Sequence, residues 1–153
     1  MGGLAGVLQG SSLYLDSNVF VYWLEDYPEY TALLEPIFER IEAHRLRAFT
    51  STLTLAEVLV KPHKDRRTEL AEQFRGYLCE SPVLELCEVS VEILVRAAII
   101  RSASALKLPD AIHVATADMM KCDAFVTNDQ RLRAHLGGRC VLLDDYLTDS
   151  GRP

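Results

Sequence analysis

The sequence predicts an α/β domain built around a parallel β-sheet. Short segments rich in β-branched and aromatic residues alternate with longer segments of helical periodicity, which is typical of βαβ units. The chain has 153 residues, 49% of them hydrophobic and 25% charged, so it can bury one sizeable core. We expect one domain over residues 12–147, between a disordered Gly-rich leader at 1–11 and a short tail at 148–153.

Five short strands are predicted, at residues 13–16, 47–51, 83–89, 124–127 and 140–143. Helical patterns fill the intervals at residues 19–25, 30–44, 53–60, 64–79 and 91–106, and Pro109 begins a further helix. Pro36 is expected to kink or break the second helix, and Pro62 to stop the third. The segment 91–106 is too apolar for a wholly exposed helix, so we expect it to pack deeply or to meet a partner.

Composition and charge exclude several classes of protein. No apolar run reaches the roughly 18 residues that a membrane span requires, and residues 1–10 lack the basic segment of a secretion signal. We therefore expect a cytoplasmic protein without a membrane partner, with its four cysteines reduced. The net charge of −6 argues against a general binder of phosphate backbones. It leaves a nuclease open, because cations held by acidic residues attract phosphate.

Four acidic residues lie where a hydrophobic segment meets a turn or opens a helix. Asp16 and Asp129 follow predicted strands, and Asp110 comes directly after Pro109, in a first helical turn that stabilises negative charge. Glu57 has apolar neighbours and needs a partner. Because open α/β sheets bind ligands at the carboxyl ends of their strands, we expect these carboxylates to form one site. Hard oxygen ligands favour Mg²⁺ or Mn²⁺, and paired His and Cys at zinc spacing are absent from the sequence.

Each of these positions also has a purely structural interpretation. Asp16 and Asp129 can cap a helix or a turn, and Thr54, three residues before Glu57, completes a capping-box pattern. His113 follows Asp110 by three residues and is more typical of a packed supporting group than of a metal ligand. The functional interpretation depends on the four acidic residues occurring together in one α/β chain.

The four acidic segments together resemble the PIN domain family. The resemblance covers about residues 12–143 and is carried by Leu15-Asp16-Ser17-Asn18, Thr54-Leu55-Ala56-Glu57, Leu108-Pro109-Asp110-Ala111-Ile112-His113-Val114-Ala115-Thr116-Ala117 and Val126-Thr127-Asn128-Asp129. Within that family, the compact length is similar to the VapC-type toxins of prokaryotic toxin-antitoxin pairs, which are ribonucleases.

The resemblance implies a three-layer α/β/α sandwich with a five-stranded parallel sheet of order 3-2-1-4-5. It implies that Asp16 and Asp110 are the central ligands of Mg²⁺ or Mn²⁺, and that Glu57 and Asp129 complete the acidic cluster directly or through water. Asn18, Thr127 and Asn128 are then expected to orient ligands or substrate. The implied activity is metal-dependent endonucleolytic hydrolysis of RNA, with an antitoxin protein as partner and a homodimer as the assembly.

Three other functions stay open at this point. A PIN-like domain can serve as a nuclease of RNA processing, or can bind RNA or protein without cleavage. A phosphohydrolase of the haloacid dehalogenase type also begins with a strand that ends in Asp. That class needs a second Asp two residues later, and this chain has Asn18 there.

Overall fold

The computed structural model describes residues 3–8 and 11–147, and within them five parallel strands form one sheet. The strands are β1 Ser12–Leu15, β2 Arg47–Ser51, β3 Leu84–Cys87, β4 Ala124–Thr127 and β5 Cys140–Leu142. Their spatial order is β3-β2-β1-β4-β5, which puts β1 in the centre, where Leu13 pairs with Ala48 on one side and with Ala124 on the other. The predicted fold class and strand order are confirmed.

The helices lie between the strands, as the alternating sequence pattern predicts. They are α1 Leu4–Val7, α2 Ser17–Leu24, α3 Pro28–Glu42, α4 Thr52–Lys64, α5 Thr68–Glu80, α6 Val91–Ser102, α7 Leu108–Met119 and α8 Arg133–Leu136. Short 3-10 turns cover Gln130–Leu132, Gly137–Arg139 and Leu143–Tyr146. Among the helices of the described residues, none is long and apolar enough to span a membrane.

The strand period of two divides the core between the two faces of the sheet. On β1, Leu13 and Leu15 point to a cluster that includes buried residues of α1 to α5, whereas Tyr14 points to the opposite face. There Tyr14 packs with Phe125 of β4 and with Val114 of α7. Helices α6 and α7 also share a small apolar cluster of their own. The result is a three-layer α/β/α sandwich whose central strands are buried on both faces.

Two prolines lie inside helices that the sequence predicts to end or bend there. Pro36 does not break α3, which continues to Glu42. The predicted stop at Pro62 is wrong, because α4 continues to Lys64. Proline removes one backbone donor, and helical bonding resumes directly after it, since the amide of Asp65 donates to the Lys61 carbonyl at 2.9 Å.

Other element boundaries differ by a few residues. Helix α6 ends at Ser102 and not at residue 106, because the hydroxyls of Ser102 and Ser104 donate to the carbonyls of Ile99 and Ile100, both at 2.7 Å. Strand β3 is shorter than the predicted 83–89, since it lies at the edge of the sheet and pairs only with β2 among the described strands.

The leader differs from the expectation of disorder over residues 1–11. Residues 4–7 form α1, and Leu4 and Leu8 are 2% and 1% exposed in the same core as α3. The guanidinium of Arg40 also donates to the carbonyl of Ala5. The apolar side chains of this segment therefore add to the core, because their helical spacing brings them onto α3. Residues 1, 2, 9 and 10 and the predicted tail at 148–153 lie outside the described residues.

Candidate metal centre

The neighbouring strands β1 and β4 bring their carboxyl ends to one edge of the sheet. Asp16 follows β1 and is 6% exposed. Its Oδ2 accepts a hydrogen bond from the hydroxyl of Thr127, the last residue of β4, at 2.7 Å. Its Oδ1 accepts from the amide of Ser17 at 2.8 Å, so Asp16 also caps α2. The capping interpretation and the site interpretation of Asp16 are thus both compatible with its position.

Asp110 reaches the same edge from the first turn of α7, as the sequence predicts. Burial raises the pKa of Asp110, the nearby guanidinium of Arg131 opposes that rise, and the charges of Asp129 and Asp16 add to it. Nη2 of Arg131 lies 3.9 Å from Oδ2 of Asp110 and 2.6 Å from Oδ2 of Asp129, so these two carboxylates face one cationic group. Such a cluster gains stability from any cation placed among them.

Glu57 joins the site from α4 through a buried histidine. His113 of α7 is 1% exposed, and its Nε2 is hydrogen-bonded to Oε1 of Glu57 and lies 4.0 Å from Oδ1 of Asp16. Its Nδ1 lies 2.6 Å from the hydroxyl of Tyr14. Burial lowers the pKa of His113, but the bond to Glu57 and the charge of Asp16 outweigh this and leave the pKa raised. His113 is therefore a packed group that connects two acidic residues.

The capping-box interpretation of Glu57 is wrong. Helix α4 is capped by Ser51, whose hydroxyl accepts from the amide of Leu53 at 3.0 Å. The hydroxyl of Thr54 is 2.7 Å from that of Thr50 and takes no part in the cap. The carboxylate of Glu57 therefore takes no part in a helix cap and is hydrogen-bonded to His113.

Arg131 is a site residue that sequence reasoning missed. Its Nη2 lies 2.6 Å from Oδ2 of Asp129 and 3.9 Å from Oδ2 of Asp110. Its Nε lies 2.9 and 3.1 Å from the two carboxylate oxygens of Asp129, and these bonds lower the pKa of Asp129. A guanidinium therefore supplies positive charge to these two half-buried carboxylates. The sequence signal was weak, because an arginine in a turn two residues after an aspartate is usually solvated.

The three predicted polar side chains divide into two groups. The amide of Asn18 donates to the Thr127 hydroxyl at 3.4 Å, and the Asn18 Oδ1 is buried without a hydrogen-bond partner among the described residues. Asn128 instead lies within 3.1 Å of the Tyr22 and Tyr30 hydroxyls and of Asp144, whose backbone amide donates to its Oδ1 at 3.0 Å. The structure therefore does not bring the Asn128 side chain to the carboxylates of Asp16, Asp110 and Asp129. The Asn128 side chain instead connects the end of β4 to α2, to α3 and to the last 3-10 turn.

The oxygen-bearing side chains at this edge of the sheet are of the kind that binds a hydrated divalent cation. Carboxylate and amide oxygens are the ligands of Mg²⁺ and Mn²⁺, and Mg²⁺ binds through one or two carboxylates while it keeps several waters. The unpartnered oxygen of Asn18 can accept a hydrogen bond from such a water. In the part of the chain that the structure describes, no three His, Cys, Asp or Glu side chains are close enough to share one ion. Arg131 neutralises two of the carboxylates in this arrangement.

Sequence comparison decides the family. The family model for the PIN domain matches residues 13–135. The chain belongs to the PIN domain family. PIN domains are nucleases that generally use divalent metal ions. No curated protein matches the chain significantly.

Solved structures of PIN-domain toxins have the same fold. A chain of a toxin-antitoxin complex from Klebsiella pneumoniae is 25% identical with a TM-score of 0.65, and the match covers 87% of this chain and 98% of that one. A chain of VapBC2 from Rickettsia felis, bound to a DNA fragment from its promoter, is 15% identical with a TM-score of 0.65 over 86% and 96% of the two chains. VapC20 of Mycobacterium tuberculosis, described as a sarcin-ricin loop cleaving toxin, is 13% identical with a TM-score of 0.64 over 80% and 94%.

Proposed function

We propose that this PIN domain is a Mg²⁺- or Mn²⁺-dependent endoribonuclease that hydrolyses RNA phosphodiester bonds and acts as the toxin of a toxin-antitoxin pair. The observation that supports the proposal is the grouping of the four acidic residues around two side chains: Asp110 and Asp129 face Arg131, and Asp16 and Glu57 face His113. The antitoxin partner is supported by the 25% identity to a chain of a toxin-antitoxin complex. RNA as the substrate is supported by the motifs, which resemble the PIN domain family, and by the compact length, which is similar to that of the VapC-type ribonucleases.

The proposed roles follow from position. Asp16 and Asp110 would hold the ion, and Asp129 and Glu57 would complete the cluster directly or through water. When bound, the ion would lower the pKa of a water that attacks the phosphodiester and would stabilise charge on the leaving oxygen. The Thr127 hydroxyl keeps the Asp16 carboxylate in one orientation.

Glu57 is the acidic residue best placed to take a proton from the attacking water. Its side chain is 34% exposed, so water reaches it, while its Oε1 is held by the buried His113 imidazole. Tyr14 holds the other imidazole nitrogen, so the position of Glu57 is fixed by side chains from β1 and α7. A fixed general base of this kind loses little freedom when the substrate binds.

The test compares Asp16→Asn and Asp110→Asn with wild type. Each variant should lose Mn²⁺-dependent RNA cleavage by about a hundredfold or more, since each removes one of the two carboxylates proposed to hold the ion. Circular dichroism should show an intact fold. Asp145→Asn is a matched control, because Asp145 is an exposed carboxylate paired with Arg133 outside the proposed ligand set. Undiminished cleavage by both site variants would overturn the proposal.

The guanidinium of Arg131 favours one second candidate, a PIN domain that binds RNA or protein without cleavage. It already neutralises Asp129 and faces Asp110, so this arrangement of the carboxylates is stable without a metal ion. Titration with Mn²⁺ separates the two candidates: the absence of binding, together with no cleavage of a broad RNA panel, would support the second one. Membership of the PIN family sets aside the haloacid dehalogenase-type alternative.

We also propose a homodimer formed through α6. This helix buries Ile93 and Ala97, as expected for deep packing, but its other face exposes large apolar side chains, namely Val91, Leu94, Val95 and Ile99. Glu92 lies in its first turn and Arg101 in its last, so a second α6 running antiparallel would place opposite charges face to face. Analytical ultracentrifugation that finds only monomer at micromolar concentration would contradict this assembly.

A further inference from the structure

The side chain of Arg131 is mostly exposed, yet its guanidinium faces two carboxylates at the mouth of the site. It is 62% exposed, while Asp110 and Asp129, the carboxylates it faces, are only 20% and 21% exposed. The same nitrogen, Nη2, faces both of them. One positively charged group is therefore attracted by both carboxylates at once.

We propose that Arg131 is a phosphate-binding residue that rests on Asp129 and Asp110 in the free protein and turns to the RNA phosphate when a divalent cation takes those carboxylates. This inference rests on the proposed nuclease function. The Arg131 side chain then has two successive partners, first the carboxylates and then the RNA phosphate, and both offer anionic oxygens.

The first step is a competition for the same oxygens. Asp129 uses both carboxylate oxygens for Arg131, at 2.6 to 3.1 Å. A divalent cation held by Asp16 and Asp110, with Asp129 as a direct further ligand, would need an oxygen of Asp129 and would repel the guanidinium. The two cations therefore exclude each other, and the divalent one has the larger charge.

The second step is the movement of the displaced side chain. Within residues 3–8 and 11–147, every side-chain hydrogen bond of Arg131 goes to Asp129, so leaving that carboxylate breaks no bond to the core. The guanidinium stays at the mouth of the site, because the residue is anchored by its backbone in the 3-10 turn after β4. Its planar fork of donors pairs with two phosphate oxygens in the same way that it pairs with a carboxylate.

The experiment uses Arg131→Ala, Arg131→Lys and the control Arg133→Ala in the full chain. Arg133 is also an exposed arginine in the same region, but its partner is Asp145. The first measurement is the Kd of Mn²⁺ without RNA, by calorimetry. Because the competing guanidinium is lost, Arg131→Ala should bind Mn²⁺ several-fold more tightly than the wild type. Arg133→Ala should bind Mn²⁺ with the wild-type Kd.

The second measurement is the cleavage of a labelled single-stranded RNA that the wild type cuts, at saturating Mn²⁺. Arg131→Ala should raise KM about tenfold, the size of one lost charge-assisted hydrogen bond, with a smaller change in kcat. Arg131→Lys should recover part of the loss, since lysine keeps the charge but not the fork.

The outcomes separate this inference from the proposed function. An Arg131→Ala variant with wild-type Mn²⁺ affinity, or with wild-type KM, would overturn the role of Arg131 while the nuclease proposal stands. A wild-type protein that binds no Mn²⁺ would overturn both. Tighter Mn²⁺ binding together with a raised KM is the result that the inference requires.

Discussion

The two halves of the acidic site are held together in different ways. In the buried half, named for His113 with its 2% exposed side chain, the imidazole lies between Tyr14 of β1, Asp16 directly after β1, and Glu57 of α4. In the exposed half, named for the 62% exposed side chain of Arg131, the half-buried Asp110 and Asp129 share one guanidinium. The comparison suggests that one half is fixed when the protein folds and that the other half is left adjustable for ligands.

The exposure of the connecting side chain explains why the two halves differ, since that of His113 is 2% exposed and that of Arg131 is 62% exposed. A polar group removed from water must be hydrogen-bonded, and fixed partners within the fold provide this for His113. The Arg131 side chain lies largely in water, which screens its charge, so it stays mobile while it faces Asp110 and Asp129. The two halves should therefore respond very differently when a single side chain is removed.

The largest expected effect is on the buried half. His113→Ala should lower the free energy of unfolding by about 2 to 3 kcal/mol, because it leaves the Tyr14 hydroxyl without its partner and removes the group between Glu57 and Asp16. Urea denaturation in metal-free buffer measures this. Arg131→Ala, the matching change in the exposed half, should leave the midpoint of unfolding nearly unchanged. Equal losses in the two variants would contradict the comparison.

A smaller effect of opposite sign is expected at Asp110. Because its pKa is raised in the folded protein, ionisation of this carboxyl costs stability, and the cost appears as the pH rises through the folded pKa. Asp110→Asn should therefore be more stable than wild type near pH 7 in EDTA, by about 1 kcal/mol or less, and the gain should shrink near pH 4. A variant that is less stable than wild type at neutral pH would show that Asp110 is not repelled by its neighbours.

The sheet could be predicted from the sequence because its signals are local. Residues 47–51 and 124–127 were predicted with the bounds that β2 and β4 have, since each is a short segment centred on apolar residues with β-forming side chains. The passage of α4 through Pro62 was not predicted, because the helix is held by contacts from other segments and tolerates the loss of one donor. Helix α1 was missed for the same reason, since its short apolar pattern gains stability only against α3.

The carboxylates of the site were also named from sequence, while their partners were not. Asp16 and Asp110 lie at a strand end and in a first helical turn, and the four acidic segments occurring together point to them as site residues. The direction of the Asn128 side chain depends on Tyr22, Tyr30 and Asp144, which are remote in sequence. No single-sequence pattern gives such a direction, nor does one show that Arg131 turns back onto Asp129.

The most direct test of the metal centre is a crystal of the wild type soaked in Mn²⁺, with anomalous density located relative to the acidic residues. The account predicts one peak or more at about 2.1 Å from carboxylate oxygens of Asp16 and Asp110, with the Arg131 guanidinium withdrawn from Asp129. No anomalous peak, or peaks only away from these carboxylates, would contradict it.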